Sequence, residues 1–301
     1  MPAVPSPSER KARTGANFQK ERTYDKRDGV QVLVLIFLCA AALPLVLTGI
    51  TYGGRWWVVR RRSDCEEPLP LPARIAAFAE ESLALAATMV SLPFGRSKAE
   101  RVSSACGDNR VILVPGLFFS AAAFSLLARR LRRQGWQPLI LRLPLWRLDI
   151  AAAAAALDGY IRALPSKPPT TLIAFGAGGL VARDYLRRHP DTGIRRLITL
   201  GTAHQGTETP LCRVLRLHQL RPDADSLRRL NENDPIPQRL EVIAIYSEYD
   251  ALVVPAARAY YGGAFNIEVR GVGHFALARS RRVWELIAEN LAPKRQGSNH
   301  L

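Results

Sequence analysis

Cysteine is scarce in this 301-residue chain and is not arranged for metal. Cys39, Cys65, Cys106 and Cys212 form no CxxC pair, which excludes the usual metal-binding and disulfide frameworks. A single bridge among Cys65, Cys106 and Cys212 is left open. Acidic residues are also short, 26 against 42 Lys plus Arg, for a formal net charge of +16. Lysine is rare within that total, and the arginines are scattered along several predicted helices. Neither zinc-finger spacing nor an aromatic-basic strand motif accompanies them, so nucleic acid is not an expected partner. The excess reads first as composition and second as attraction to anionic lipid. At 48% hydrophobic, the chain has enough apolar material for one substantial core.

Charge is wholly absent from Gly29 to Gly54. The run VQVLVLIFLCAAALPLVLTGI is long enough to cross a bilayer as a helix, and such a helix tolerates Pro44. A cleaved signal peptide fits less well. The polar region before it (1–28, an expected disordered basic tail) is long, and Arg55-Trp56-Trp57 closes the run where a small-x-small site would stand. The expectation is a retained single-pass anchor at 29–54. Basic residues flank both ends, so they assign no topology. Residues 55–109 read as a juxtamembrane linker containing Pro68, Pro70 and Pro72. Its helix, Ala73 to Leu92, has an apolar surface interrupted by Glu80 and Glu81 and is expected to lie on the membrane or against the main domain.

From Arg110 short apolar runs alternate with amphipathic helices. VILV (111–114), PLILRL (138–143), TLIAF (171–175), RRLITLG (195–201), LEVIAIY (240–246) and FNIEVRG (265–271) read as strands. Helices are predicted over Ser120–Arg133, Leu148–Leu164, GLVARDYLRRH (179–189) and Ser280–Leu291. This alternation predicts an α/β, doubly wound, mostly parallel sheet over 110–291, followed by a short tail at 292–301. Residues 208–237 are long enough for a cap over a cleft, or form an ordinary surface connection.

The segment AFGAGGLVAR (174–183) joins a strand to a helix through a cluster of small residues. As a dinucleotide-binding turn it fails, because Val181 stands where the last glycine of G-x-G-x-x-G belongs and no acidic residue ends the next strand. As a nucleophile elbow, G-x-S-x-G, it has Ala174 and Gly178 at the two small positions and Gly176 where serine belongs. Asp250 in YSEYDALVVP follows a strand, and His274 in GVGHFAL follows the last one. The order nucleophile, acid, histidine is that of α/β-hydrolases.

These segments, with VILVPGLFF (111–119) and LITLGTAHQGTE (197–208), resemble a bacterial lipase/esterase of the α/β-hydrolase superfamily over about residues 110–291. The resemblance implies an α/β-hydrolase fold and a site for an ester or lipid-like small molecule, with no cofactor and no metal. It also implies a bacterial inner-membrane setting for the anchor and the bilayer as a partner. Gly176 would stand at the nucleophile position, Asp250 and His274 would form the relay, and the backbone N–H groups of Leu117 and Ala177 the oxyanion hole. The sequence departs from the pattern at three chemistry-bearing positions: Phe175 and Gly176 replace the elbow's His and Ser, and Pro115 replaces the oxyanion-loop His. Glycine has no atom with which to attack a carbonyl. The expectation is therefore a pseudoenzyme that binds an ester or lipid-like ligand. The alternative is a weak carboxylic-ester hydrolase in which His274, oriented by Asp250, activates water. His204 is expected to be structural and His189 to cap a helix; Ser120 and Thr202 are remote candidates for a substitute nucleophile.

Overall fold

The computed structural model describes residues 30–32, 34, 41–62, 69–92, 109–141, 143, 148–164 and 169–292. The chain divides into two compact units, Met1–Leu47 and Thr48–Leu301. In the first, every described residue is helical. The expected span 29–54 lies partly outside the described residues, and among those described no helix is long and apolar enough to cross a membrane.

The second unit is built on six parallel strands: β1 (Arg110–Val114), β2 (Gln137–Ile140), β3 (Thr170–Phe175), β4 (Ile194–Leu200), β5 (Glu241–Ser247) and β6 (Phe265–Val269). Their spatial order is β2-β1-β3-β4-β5-β6. The inner strands β1 and β3 are buried at every position, as a sheet covered on both faces requires. Successive side chains point to opposite faces and meet different helices. Leu113, Ile173, Phe175, Leu200 and Ile245 pack with residues of α2 (Ser125–Arg133) and of the C-terminal α9 (Arg281–Leu291). Ile112, Ala174, Leu197 and Ala244 pack with residues of α3 (Ile150–Arg162) and of α4 (Ala177–Arg188). The second expected strand is shorter than its sequence run, ending at Ile140.

Two helical pieces that precede the sheet contact loops and short helices of the sheet domain. Residues 48–62 are helical, with Thr48 and Val58 buried and the Tyr52 ring packed against Phe78 and Tyr249. Arg55 donates to the Glu248 carbonyl at 2.7 Å, and Arg62 pairs with Glu208. Helix α1 (Leu71–Ser91) buries Ala77, Glu81, Ser82, Ala84 and Thr88, while Leu71, Ile75, Leu83 and Val90 are exposed. The sequence places 48–54 at the end of the anchor and the helix at 73–92 on the membrane or against the main domain; both pieces contact the sheet domain.

Residues 208–237 form α5 (Leu211–Val214), a 3-10 turn (His218–Leu220), α6 (Asp225–Asn231) and the start of α7 (Ile236–Arg239). Leu227 and Leu230 of α6 bury against Leu180 of α4. Cys212 is a free, buried thiol, and burial raises its pKa to about 11. Cys39, Cys65 and Cys106 lie outside the described residues.

Candidate active site

The strand order reverses between β2-β1 and β3 onward, so chain leaves β1 and β3 in opposite directions at adjacent strand ends. In open parallel sheets, a crevice forms at the carboxyl ends at such a point. Gly116 follows β1 there and Gly176 follows β3.

Gly176 has φ 52° and ψ −127°, a conformation that strains any side-chain-bearing residue. It is pinned on both sides. Its N–H donates to Leu200 O at 2.8 Å, and its carbonyl accepts from Gly179 N at 3.1 Å and from the Thr202 hydroxyl at 2.9 Å. The neighbouring glycines are demanded by close approach. A Cβ on Gly178 would stand 2.5 Å from Pro115 O, and one on Gly116 2.6 Å from Phe175 O. Gly178→Ala is accordingly expected to destabilise the fold by about 1–3 kcal/mol, read as a lower midpoint in thermal or urea unfolding.

Asp250 and His274 meet at this turn. Asp250 Oδ2 lies 2.7 Å from His274 Nδ1, and Asp250 Oδ1 accepts from Leu252 N at 2.7 Å and Val253 N at 2.9 Å. The acid is thus fixed by its own loop, and it selects the tautomer with the proton on Nδ1. Both side chains are buried, His274 at 7% exposure and Asp250 at 2%. Burial disfavours the imidazolium, but the Asp250 charge and hydrogen bond, with Glu81 beyond, outweigh it and raise the His274 pKa. A Cβ added to Gly176 would stand 3.2 Å from His274 Nε2. A hydroxyl carried on that carbon is within hydrogen-bonding reach of the ring once His274 gives by a few tenths of an ångström.

The two expected oxyanion donors, the backbone N–H groups of Leu117 and Ala177, belong to the turns that follow β1 and β3. Ala177 opens α4, so its N–H has no partner within the helix and sits at the positive end of the helix dipole. Leu117 N follows Gly116, whose Cα is 4.0 Å from the Cβ position on Gly176. Phe175 is fully buried, with its ring 4.4 Å from Phe119 and 4.8 Å from His274, and forms an apolar wall beside the imidazole.

The other candidates have separate duties. Thr202 spends its hydroxyl on Gly176 O, and Ser120 caps the 3-10 turn Ala121–Phe124 while meeting the Ser91 hydroxyl at 2.8 Å. His204 is completely buried, 3.0 Å from the Thr199 hydroxyl and stacked on Tyr261; burial, then Arg183, hold its pKa well below the ordinary value. His189 ends α4. Sequence reasoning missed Glu81 of α1, whose buried carboxylate accepts from Phe275 N at 3.0 Å and Ala276 N at 2.9 Å in the turn bearing His274. Nothing local in the sequence links position 81 to that loop. Cavities of about 550 Å³ and 370 Å³ lie elsewhere, the larger one between Trp57, Arg62, Glu208 and Arg213.

Parallel sheet order, the turn geometry at Gly176 and the Asp250–His274 pair after β5 and β6 together decide the architecture. The fold is the α/β-hydrolase fold. Aspergillus fumigatus lipase B superposes with a TM-score of 0.52 at 17% identity, over 63% of this chain and 55% of the lipase. The chain thus spans about half the length of that enzyme. Other similar structures are a metagenomic carboxyl esterase (TM-score 0.48, 20% identity, 60% and 68% of the two chains) and the type II thioesterase of a borrelidin biosynthetic cluster (0.44, 22%, 64% and 95%). No protein-family model and no curated protein matches the sequence.

Proposed function

We propose that this is a membrane-anchored, lipase/esterase-like α/β-hydrolase domain that binds an ester or lipid-like ligand without turning it over. One observation carries the reading: the position facing His274 Nε2, from which a nucleophile would attack, holds no side chain. Acyl transfer to the protein is impossible at Gly176, while the tight turn and the Asp250–His274 pair beside it are present. Membrane attachment is supported by the uncharged run 29–54 and by the exposed pair Trp56 and Trp57. The outward face of α1, with Leu71, Ile75, Leu83 and Val90, adds apolar surface suited to the same interface.

The intact Asp250–His274 hydrogen bond supports a second reading, slow hydrolysis by water activated at His274. Only the neutral imidazole accepts a proton from water. Any such rate therefore rises with pH as His274 passes through its raised pKa. Assays of nitrophenyl esters with the native protein and with His274→Ala separate the two. A binding protein shows no rate above buffer in either form. A rate in the native protein that rises with pH and disappears in H274A would establish the hydrolase reading instead.

A further inference from the structure

A buried carboxylate needs an explanation, because removing a charge from water is costly unless hydrogen bonds replace it. Glu81 lies on the inward side of α1, outside the stretch that folds as the sheet, and is 3% exposed. Both of its carboxylate oxygens are used on one target. Oε1 accepts from Phe275 N and Oε2 from Ala276 N, the residues directly after His274 in the short helix α8 (His274–Leu277). The target is shaped to receive it. Gly273 has φ −74° and ψ 174°, a backbone any residue adopts, so glycine is not required there by conformation. It is required by space, because a Cβ on Gly273 would collide with the Glu81 carboxylate.

We propose that Glu81 is a positioning residue of the candidate site, clamping the first turn of α8 and so fixing the His274 imidazole between Asp250 and Gly176. This rests on reading Asp250–His274 as a hydrolase relay. It makes the relay depend on a helix contributed from before the hydrolase core. Any movement of α1 is transmitted to His274 through two hydrogen bonds and one charge.

The electrostatics follow from the placement. Burial raises the Glu81 pKa to about 7, against the lowering influence of the two backbone bonds and His274, while Asp250 pushes upward. His274 is itself raised, with Glu81 among the causes. The charge state of each group therefore bears on the titration of the other. Among the described residues, Asp250 and the Tyr52 hydroxyl also face Glu81, and Tyr249, with Arg55 over its ring, lies beside Tyr52.

The test is a pH titration of the full-length protein in detergent micelles, with 15N-labelled His, Phe and Ala, followed by NMR. In the native protein the Phe275 and Ala276 amide signals are expected to shift together with the His274 ring nitrogens, with a step near pH 7. Amides that stay still between pH 5 and 9 while His274 titrates would overturn the proposal, and this arm needs no variant. In Glu81→Gln, checked as folded by its thermal transition, His274 is expected to titrate in a single step at lower pH than in the native protein, since one of the charges that raise it is gone. In Glu81→Asp, which keeps the charge but cannot span both N–H groups, the midpoint is expected to stay above that of E81Q. A His274 curve in folded E81Q that overlays the native one contradicts the proposal. Buried His204 should not respond in any form. None of these readings requires hydrolysis, so they stand apart from the outcome of the ester assays.

Discussion

Gly176→Ser is expected to raise the hydrolysis of short-chain nitrophenyl esters by about 10³-fold or more over the native protein. The magnitude follows from what is missing. In serine hydrolases the nucleophile, base and acid act as a unit, so removing one member loses most of the covalent catalysis. What is left comes from backbone donors and binding. Here the lost member is a single CH₂OH on a carbon position 3.2 Å from His274 Nε2. The gain should require the relay: G176S combined with His274→Ala or Asp250→Asn should fall back toward the native level. It should also carry a stability cost of about 1–3 kcal/mol, because a β-carbon at φ 52° restores strain that glycine relieves. An active and less stable variant is the expected pair of results. A folded G176S without activity would mean that Phe175 and Pro115 have altered the site beyond rescue by one hydroxyl.

The second large effect concerns stability. Arg183 is fully buried in the helix that starts at the elbow. Its guanidinium donates to Leu230 O at 2.8 Å, Asn231 Oδ1 at 2.9 Å and Asp234 Oδ2 at 2.7 Å, and lies over the Tyr261 ring. These bonds tie α4 to the segment 225–239 beside it. Arg183→Leu leaves the Asp234 carboxylate without its cation, held by the Tyr261 hydroxyl at 2.6 Å and Ile236 N at 3.1 Å. Breaking one side of such a buried pair costs about 3–5 kcal/mol, to be read from the urea midpoint. Asp234→Asn in the same background should recover part of the loss, since the stranded charge is then removed. A loss below 1 kcal/mol would show that α4 and the 225–239 segment are not coupled in this way.

The parts of the site that were legible in the sequence are those encoded by local spacing. Ala174, Gly176 and Gly178 announce a tight strand-to-helix turn because close approach excludes side chains. Asp250 and His274 stand just past strand ends that alternating hydrophobicity marks. What was not legible depends on contacts far apart in the chain. Glu80 and Glu81 look alike as breaks in an apolar helix face. Only packing makes Glu81 the one that reaches Phe275 and Ala276, 194 and 195 positions away. Tyr52, Arg55 and Arg62 likewise read as the edge of an apolar run and a basic flank, yet they contact Tyr249, Glu248 and Glu208. Ser120 and Thr202 carried hydroxyls that sequence alone left available. Hydrogen bonds to Ser91 and Gly176 O give those groups other work.

The central claim is that Asp250 and His274 are still set to activate a nucleophile at position 176, where the chain has none. The most direct test is the intact mass of native, G176S and G176S/H274A protein after exposure to a fluorophosphonate that labels only activated serines. The account predicts one adduct, at position 176, on G176S alone, and no labelling of the native protein or of the double variant. An unlabelled but folded G176S, or equal labelling with and without His274, would contradict it.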